Sequence, residues 1–322
     1  MIKQIKNFLK KITVLNIIYQ YLNNVRNGYR VYAKFPKKYG ENYKIIFSPY
    51  EGCGDAYLLG KLFDEYLKKD KIENYVVLTP SELGYKILSL FKISPLECIS
   101  IEERNKIIKF GTFLGFSRVN IGIPHFNSYS HTEIMNNVEG IHSLDFFSMF
   151  SFVRLNSKDP VLRAIIFEIK NPWNQLMIEK GIGEGKTVLL FPRANSIPSP
   201  SDCFWYKLSE FLKGKGYIVC TNIKANEKPI KGTIPIYIPI EQIDATLSFA
   251  GYFIGSRSGI CDIISNTECK KIVIYPKNYR WGASFVDEYF SLQNMGLCHD
   301  AIEISYKREQ EDTLFDEIIY NF

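Results

Sequence analysis

The sequence lacks the apolar runs and cysteine spacings that would place it in a membrane, in a disulfide framework or around a zinc ion. A membrane-spanning helix needs about 20 mostly apolar residues, and the 322 residues contain no such run. Lysines interrupt the early apolar residues, so we expect no signal peptide. The seven cysteines are odd in number and never stand as Cys-x-x-Cys, which argues against paired or clustered use. Free thiols indicate the reducing cytoplasm.

Features of a metal or cofactor site are also scarce. The four histidines show no His-x-x-x-His spacing on a predicted helix and no pairing with cysteine. No Gly-x-Gly-x-x-Gly turn occurs, which argues against an NAD site. We therefore expect no metal ion and no cofactor. His125 and His131 lie in an irregular region and are candidates for contact with an acceptor, although each also suits a surface or core position.

Positive charge is concentrated at the N-terminus. The net charge is +6, yet residues 1–40 hold nine basic side chains and no acidic one, which leaves the rest nearly neutral. A nucleic-acid-binding protein spreads its basic patch over the folded domain, so we expect no nucleic-acid partner. Apolar residues within 2–24 recur at steps of three and four, which predicts an amphipathic helix with a basic face. Residues 1–30 thus suit a peripheral position on an anionic membrane surface, and packing of this helix on the first domain is a compatible alternative.

Strands and helices alternate in two separate series after this basic segment. The first series occupies residues 41–180, with predicted elements at strand 44–48, helix 55–68, strand 75–79, helix 80–92, strand 96–100 and a helix from 101. The second occupies 181–305, with strands at 187–192, 217–221, 236–238, 252–255 and 271–276 and helices at 203–214, near 240 and from 260. The strand at 271–276 is expected to close the second sheet. Residues 306–322 are expected to form a helix that packs back on the N-terminal domain.

This alternation predicts an α/β fold with two Rossmann-like domains that face a central cleft. Sheets of this kind bind ligands outside the carboxyl ends of their strands. A glycine-containing turn follows a predicted strand in each half, at 52–54 and at 255–259. We therefore expect the functional site in the cleft, between these two turns.

The turn at 255–259 has the composition of an anion site. Small residues permit close approach of a ligand to the backbone, and the start of a helix exposes N–H groups. Arg257 adds a cationic fork suited to a diphosphate, while Ser256 and Ser258 offer hydroxyl groups beside Gly259. The alternative is an ordinary tight turn in which Arg257 caps a helix or pairs with a carboxylate.

The loop after strand 187–192 is a candidate for a second wall of the same site. Arg193 and Ser196 are its candidate ligand contacts, and neighbouring prolines limit its freedom. The alternative is a solvent-exposed loop that caps the next helix through Ser201 or Asp202.

The turn of the first half carries a candidate base. Asp55 follows Gly52 and Gly54 at the start of a predicted helix, where the helix dipole keeps a carboxylate ionised. An ionised carboxylate that faces the cleft can remove a proton from an acceptor hydroxyl. Glu51 is a weaker candidate for the same role, and a simple helix cap is the alternative for Asp55.

Several of these segments, in this order, resemble the bacterial ADP-heptose:lipopolysaccharide heptosyltransferase family. Gly54-Asp55-Ala56 looks like the family's Gly-Asp turn, and residues 188–219 are similar to its strand, loop and following helix. The turn at 255–259 stands at the place of its Gly-x-Asp-Ser-Gly turn, with Arg257 instead of the family's acid. Asp262 stands where a histidine usually follows. The resemblance implies a GT-B fold, inverting transfer from a nucleotide-sugar donor without an essential metal, and Asp55 as the base.

By this resemblance the partners are a nucleotide-sugar donor and a cell-surface glycan or glycolipid acceptor. A second resemblance, to polysaccharide pyruvyl transferases, rests on Gly-x-Gly-Asp at 52–55 and Gly-Ser-Arg at 255–257. In that family a histidine normally follows two residues after the arginine, and here Gly259 stands there. A third interpretation is a non-catalytic nucleotide- or glycan-binding member of a polysaccharide-synthesis complex.

Overall fold

The chain folds as two α/β domains preceded by a long helix. The computed structural model describes residues 2–48, 51–119, 121–122, 133, 135–148, 161–167, 173–224 and 227–322. Helix α1 (Ile2–Tyr32) and the short helix α2 (Lys34–Tyr39) lead into the first domain. Over the described residues, no helix is both long enough and apolar enough to cross a bilayer.

The first domain is built on a four-stranded parallel sheet. Its elements are β1 (Lys44–Phe47), α3 (Cys53–Lys61), α4 (Phe63–Lys69), β2 (Tyr75–Thr79), α5 (Glu82–Leu90), β3 (Leu96–Cys98), α6 (Ile101–Leu114), β4 (Ile121–Gly122) and α7 (Ser143–Phe146). The strands lie in the order β3-β2-β1-β4. The strand order therefore reverses between β1 and β4, and ligands bind at such a switch point.

The second domain is built on a six-stranded parallel sheet. Its elements are α8 (Trp173–Glu179), β5 (Thr187–Phe191), α9 (Asp202–Gly214), β6 (Ile218–Asn222), β7 (Ile234–Ile236), a 3-10 turn (Ile240–Gln242), α10 (Ile243–Ala250), β8 (Gly251–Ser256), α11 (Gly259–Ile263), β9 (Lys270–Pro276), the hairpin β10 (Arg280–Trp281) and β11 (Ser284–Phe285), α12 (Val286–Tyr289), β12 (Ile302–Tyr306) and α13 (Glu311–Ile319). The strand order β12-β9-β8-β5-β6-β7 reverses between β5 and β8.

Apolar side chains alternate between the two faces of each sheet, so both faces are buried under helices. On β1, Ile46 faces one core while Ile45 and Phe47 face another, shared with α1 and α6. On β5, Leu189 joins the core of Ile46, and Val188 faces the opposite side. Alternation follows from the two-residue period of a strand. One continuous core therefore joins the two domains, and the predicted two-domain α/β architecture is confirmed.

The structure differs from the sequence-based expectation at the end of the chain. The strand at 271–276 does not close the second sheet, because β12 pairs with it in parallel on the outer side. Helix α13 packs on the second domain rather than the first. Its buried residues Leu314, Phe315 and Ile318 share a core with α9, and the rings of Phe315 and Phe211 lie 5.8 Å apart. The cause is β12, which brings the chain to the edge of the sheet beside α9.

Helix α1 packs on the first domain through its C-terminal half. A Cβ atom at Gly28 would lie 2.5 Å from both the carbonyl oxygen of Lys106 and Cβ of Phe110, so α1 and α6 cross at close range there. Val31 is buried in the same contact region, whereas Leu22 and Ile17, about two and a half and four turns earlier, are exposed. Packing on the first domain therefore explains the C-terminal half of this helix but not the apolar side chains that are exposed before it.

Candidate functional site

A cleft of about 580 Å³ lies where the carboxyl ends of the two sheets face each other. Its walls come from the turn after β1, the start of α5 and the segments that follow β5, β6, β7 and β8. Small-molecule sites typically measure about 300–1,000 Å³. Residues 52–55 and 257–259 both line this cleft, so the two turns identified in the sequence belong to one site.

Asp55 lies in the first turn of α3 and lines the cleft. The helix begins after Gly52, whose backbone is extended, and a Cβ atom there would stand 2.8 Å from Asp55 Oδ2. The carboxylate therefore folds back over the start of its own helix. Burial, and secondly the charge of Asp262, raise the pKa of Asp55 to about 6. At pH 7 the group is ionised, yet it is basic enough to take a proton from a hydroxyl.

The two turns touch across the domain boundary. A Cβ atom at Gly259 would lie 2.5 Å from Cys53 Sγ and 2.5 Å from the backbone nitrogen of Gly54. Only a residue without a side chain permits this approach. The contact holds the start of α3 against the start of α11, and it explains why the charge of Asp262 acts on Asp55.

Arg257 points into the protein. Its side chain is only 4% exposed, and Nη2 donates to Asp262 Oδ1 at 2.6 Å. Nε donates to the carbonyl of Phe290 at 2.8 Å, and Nη1 donates to the carbonyl of Ser258. The guanidinium therefore holds the turn together, and the expectation of a free cationic fork toward a ligand is not met. The carboxylate-paired arrangement, the alternative drawn from the sequence, is the one present.

Asp262 balances this buried charge. Burial raises the pKa of Asp262 to about 6, against the opposite effect of the Arg257 guanidinium. An arginine stays protonated at every ordinary pH. At pH 7 the two side chains therefore form a buried ion pair, whose separation would leave an uncompensated charge.

The two serines of the turn have different surroundings. Ser256 is buried, and its hydroxyl donates to the carbonyl of Pro192 at 3.0 Å, which joins the end of β8 to the loop after β5. Ser258 is half-buried and lines the cleft beside Gly259. Ser258 and Gly259 can therefore reach a ligand directly, whereas Ser256 acts through the position of the loop.

The loop after β5 combines both roles considered for it. Arg193 and Ser196 are exposed and line the cleft, and Arg193 Nη2 donates to the carbonyl of Lys228 at 3.0 Å. At the far end of the loop, the Ser201 hydroxyl accepts from the backbone N–H of Phe204 at 3.1 Å and caps α9. The beginning of the loop faces the site, and its end starts the helix.

Three cleft side chains belong to none of the motifs noted in the sequence. Lys224 is exposed and follows β6, and Tyr237 is 60% exposed and follows β7. Lys86 lies on α5 and forms an ion pair at 3.2 Å with Glu241, across the domain boundary. Lys224 follows the strand predicted at 217–221, and that position is a sequence signal for it. Tyr237 lies inside the strand predicted at 236–238, so only the structure, in which β7 ends at Ile236, places it after a strand.

Glu51, His125 and His131 are the remaining candidates from the sequence, and Cys53 is a further reactive group in addition to them. Glu51 is exposed, and its Oε1 accepts from Arg104 Nη1 at 3.0 Å. Cys53 lines the cleft, but burial raises the pKa of its thiol to about 11, so it stays protonated at neutral pH. His125 and His131 lie outside the described residues. Within the described ranges, no group of three or more His, Cys, Asp or Glu side chains is placed to hold a metal ion.

Neither a scan against protein-family models nor a search of curated proteins finds a match to this chain. Solved structures do match. The structure of Escherichia coli ADP-heptose LPS heptosyltransferase II is similar with a TM-score of 0.57 at 10% identity, over 86% of this chain and 98% of that one. The glycosyl transferase family 9 structure from Veillonella parvula DSM 2008 is similar with a TM-score of 0.54 at 9% identity, over 87% and 96%. The likeness confirms the predicted GT-B fold.

Proposed function

We propose that this chain is a glycosyltransferase that moves a sugar from a nucleoside-diphosphate donor to a glycan acceptor. The observation that carries the proposal is Asp55, an ionised carboxylate with a pKa of about 6, in the same cleft as cationic side chains of the second domain. Such a pair of groups serves a reaction that removes a proton at one end and releases an anion at the other. The similar solved structures, a heptosyltransferase and a glycosyl transferase, agree with this chemistry.

In the proposed reaction, Asp55 takes the proton of an acceptor hydroxyl as its oxygen attacks the anomeric carbon of the donor sugar. The bond between that carbon and the diphosphate oxygen breaks, and its electron pair leaves with the nucleoside diphosphate. A single displacement in line inverts the anomeric configuration. The acceptor then binds toward the first domain, where Asp55 lies, and the donor toward the second.

The leaving diphosphate gains negative charge, and the second domain supplies the matching groups. Arg193 and Lys224 are exposed cations that line the cleft, and Ser196, Ser258 and the backbone of Gly259 add hydrogen-bond donors. Preorganised charges of this kind stabilise a transition state because they need no reorganisation during the reaction. The proposal assigns charge neutralisation to these groups and uses no metal ion or cofactor.

Pyruvyl transfer is the less favoured alternative for this cleft. Its resemblance rests on Gly-x-Gly-Asp at 52–55 and Gly-Ser-Arg at 255–257, and pyruvyl transfer through this turn would use Arg257 as an anion contact. In the structure the Arg257 guanidinium is buried and donates to Asp262 and to two carbonyl groups. Sugar transfer with Asp55 as the base needs no free arginine at that position.

We also propose that the acceptor is lipid-linked and that α1 lies on an anionic membrane surface near it. Ile17, Ile18 and Leu22 are exposed on this helix, and the exposed ring of Tyr21 contacts Phe113 of α6 at 5.2 Å. The surrounding segment carries basic residues and no acidic ones up to residue 40. Exposed apolar side chains in a segment that is rich in basic residues match an anionic lipid interface, where each cation near the surface contributes about 1 kcal/mol.

The substitution Asp55→Asn tests the central claim. A thermal-shift screen of nucleotides and nucleotide sugars first identifies the donor, because a ligand of the folded state raises its melting temperature. We expect Asp55→Asn to keep donor affinity and to lower the rate of donor hydrolysis or transfer by about 10²–10⁴-fold, the usual contribution of a general base. Glu51→Gln, a neutralised carboxylate paired with Arg104, is the control and should keep the wild-type rate.

Unchanged turnover in Asp55→Asn would remove this residue from the mechanism. A wild-type chain that binds nucleotide sugars but neither transfers nor hydrolyses them would instead establish the non-catalytic interpretation. Binding and turnover of phosphoenolpyruvate in place of nucleotide sugars would establish pyruvyl transfer.

A further inference from the structure

Two aromatic side chains form a wall of the cleft next to the turn at 257–259. Trp281 and Phe290 are half-buried, both line the cleft, and their ring centroids lie 5.7 Å apart in an edge-on arrangement. The Phe290 ring also lies 5.4 Å from the guanidinium carbon of Arg257. The aromatic wall (Trp281 and Phe290) is thus adjacent to the groups assigned to the donor.

The Phe290 side of this wall is held by a buried hydrogen-bond network. The carbonyl of Phe290 accepts from Arg257 Nε at 2.8 Å and from the Tyr275 hydroxyl at 3.3 Å. Just beyond it, Glu303 accepts from the Ser291 hydroxyl at 2.6 Å and from the backbone N–H of Leu292 at 2.7 Å. Partners on both sides of residue 290 fix the backbone, so the ring is preorganised.

The Trp281 side is held by a contact between the domains. Trp281 lies on β10 of the hairpin, whose turn docks on the first domain at Met135. The backbone N–H of Ala283 donates to the carbonyl of Met135 at 2.9 Å. A Cβ atom at Gly282 would lie 2.5 Å from that same oxygen, and Gly282 has a φ of +66°, so only glycine suits this turn. The hairpin therefore places Trp281 at the junction of the two domains.

We infer that the aromatic wall is the subsite for the sugar ring of the nucleotide-sugar donor. One face of a pyranose ring presents C–H groups and is apolar, and an aromatic side chain packs against such a face. The hydroxyl groups of the ring need hydrogen-bond partners, and Asp55 and the half-buried Ser258 line the same cleft. The position also fits, since the reacting sugar must lie between the diphosphate groups and the base. This inference rests on the proposed function and adds residues to it.

The gain in affinity that the sugar contributes is the quantity to measure. Calorimetric titrations of the full chain compare UDP with UDP-glucose, GDP with GDP-mannose and ADP with ADP-heptose. We expect the wild type to bind one sugar conjugate more tightly than its nucleoside diphosphate. Trp281→Ala should keep the affinity for the diphosphate and lose roughly tenfold in affinity for the conjugate, about the contribution of one aromatic contact. Trp281→Phe should recover part of the loss.

Tyr279→Ala is the matched control. Tyr279 is an exposed aromatic residue just before the same hairpin, and it is not among the described residues that line the cleft. Its removal should change neither affinity. A loss of affinity for the sugar conjugate in Tyr279→Ala equal to that in Trp281→Ala would show that both substitutions disturb the hairpin, and the subsite would be withdrawn.

The outcomes separate this inference from the proposed function. The aromatic wall is not a sugar subsite if the wild type binds a diphosphate and its sugar conjugate with equal affinity. The same conclusion follows if Trp281→Ala still binds the conjugate more tightly than the diphosphate by the wild-type factor. In both cases the proposed function stands. If the wild type binds none of the six compounds, the proposed donor class fails, and the subsite fails with it.

Discussion

Two carboxylates lie close together at the junction of the domains, and their neighbours give them different roles. Asp262 is compensated by Arg257, which donates to it at 2.6 Å inside the protein. Asp55 lines the cleft, and burial and the charge of Asp262 both disfavour its ionised form. An isolated aspartate is too weak a base for efficient proton removal, and a pKa raised toward the working pH corrects this. At the residue scale, Asp262 therefore helps to tune Asp55 while it neutralises Arg257.

The raised pKa of Asp55 predicts opposite pH dependences for activity and stability. We expect kcat/KM to rise with pH through about 6 and then to level off, because only the ionised carboxylate is a base. The folded-state pKa lies above the unfolded value of 3.8, so the folded chain binds this proton more tightly. Its contribution to the free energy of unfolding is therefore full below about pH 4 and is lost as the pH rises through about 6.

Asp55→Asn removes this titration and should make the folded chain more stable at pH 8. The expected gain is about 1–2 kcal/mol, less than the full shift implies, because the cleft leaves the carboxylate partly screened by solvent. Urea unfolding at pH 4.5 and pH 8 measures it. If Asp55→Asn is inactive but its unfolding free energy depends on pH as that of the wild type does, the Asp55 carboxylate is not destabilised by its surroundings.

At the scale of elements, helix α1 has two parts with different surroundings. Its C-terminal half crosses α6 at Gly28 and buries Val31. Its central turns expose Ile17, Ile18 and Leu22 beside Tyr21 and Phe113. The helix thus continues beyond the domain that anchors it, and its exposed apolar side chains lie in the most basic segment of the chain. A helix of this kind is suited to lie in a lipid interface.

The double substitution Ile18→Glu and Leu22→Glu tests this membrane contact. We expect co-sedimentation with phosphatidylglycerol-containing vesicles to fall at least about tenfold, because two apolar side chains are lost and two negative charges are added. The melting temperature should stay unchanged, since both side chains are exposed. Tyr320→Glu changes an exposed aromatic residue of the second domain and should bind vesicles like the wild type. The proposal is contradicted if the wild type binds phosphatidylcholine vesicles as well as phosphatidylglycerol-containing ones, or if the double substitution does not change vesicle binding.

At the scale of the whole molecule, the switch points of the two sheets face one another. The two domains come into close backbone contact at Gly259. Gly259 touches Cys53 and Gly54, and Lys86 pairs with Glu241 at 3.2 Å across the cleft. The exposed ion pair contributes little by itself. The close backbone contact is more specific, because it sets the distance between Asp55 and the turn at 257–259, the proposed base and the proposed donor turn. Catalysis is sensitive to such distances, since a misplacement of about 1 Å costs on the order of 10²-fold.

Gly259→Ala tests whether this contact positions the site. The added methyl group would stand 2.5 Å from Gly54 N and Cys53 Sγ, so the domains must shift. We expect a loss of about 1–3 kcal/mol in unfolding free energy and a marked fall in turnover. Gly54→Ala places its methyl group 3.5 Å from Asp262 Oδ2 and 3.6 Å from Gly259 Cα, which are ordinary contacts, and should be milder. Gly214→Ala meets nothing within 4 Å and serves as the control. Equal behaviour of all three variants would show that the glycine contact has no special role.

The sequence by itself determined the two-domain α/β fold and the location of the cleft. The sequences of β1 and β5 are short, nearly continuous apolar runs, and this local pattern predicts buried strands without tertiary information. Both glycine turns end a strand, and ligands bind at the carboxyl ends of parallel strands wherever the sheet is built this way. Asp55, Arg193, Ser196, Ser258 and Gly259 were found by that argument, and all of them line the cleft.

Only the tertiary structure decided which of these side chains can reach a ligand and how the chain ends. Arg257 has the composition of an anion contact, but its direction depends on Asp262 and on the Phe290 carbonyl, which the fold brings beside it. The pairing of β12 with β9 and the docking of α13 on α9 are long-range contacts that local periodicity does not encode. Trp281 reaches the cleft because a hairpin of one domain rests on Met135 of the other. Local pattern fixes where strands end, and long-range packing fixes which side chains meet there.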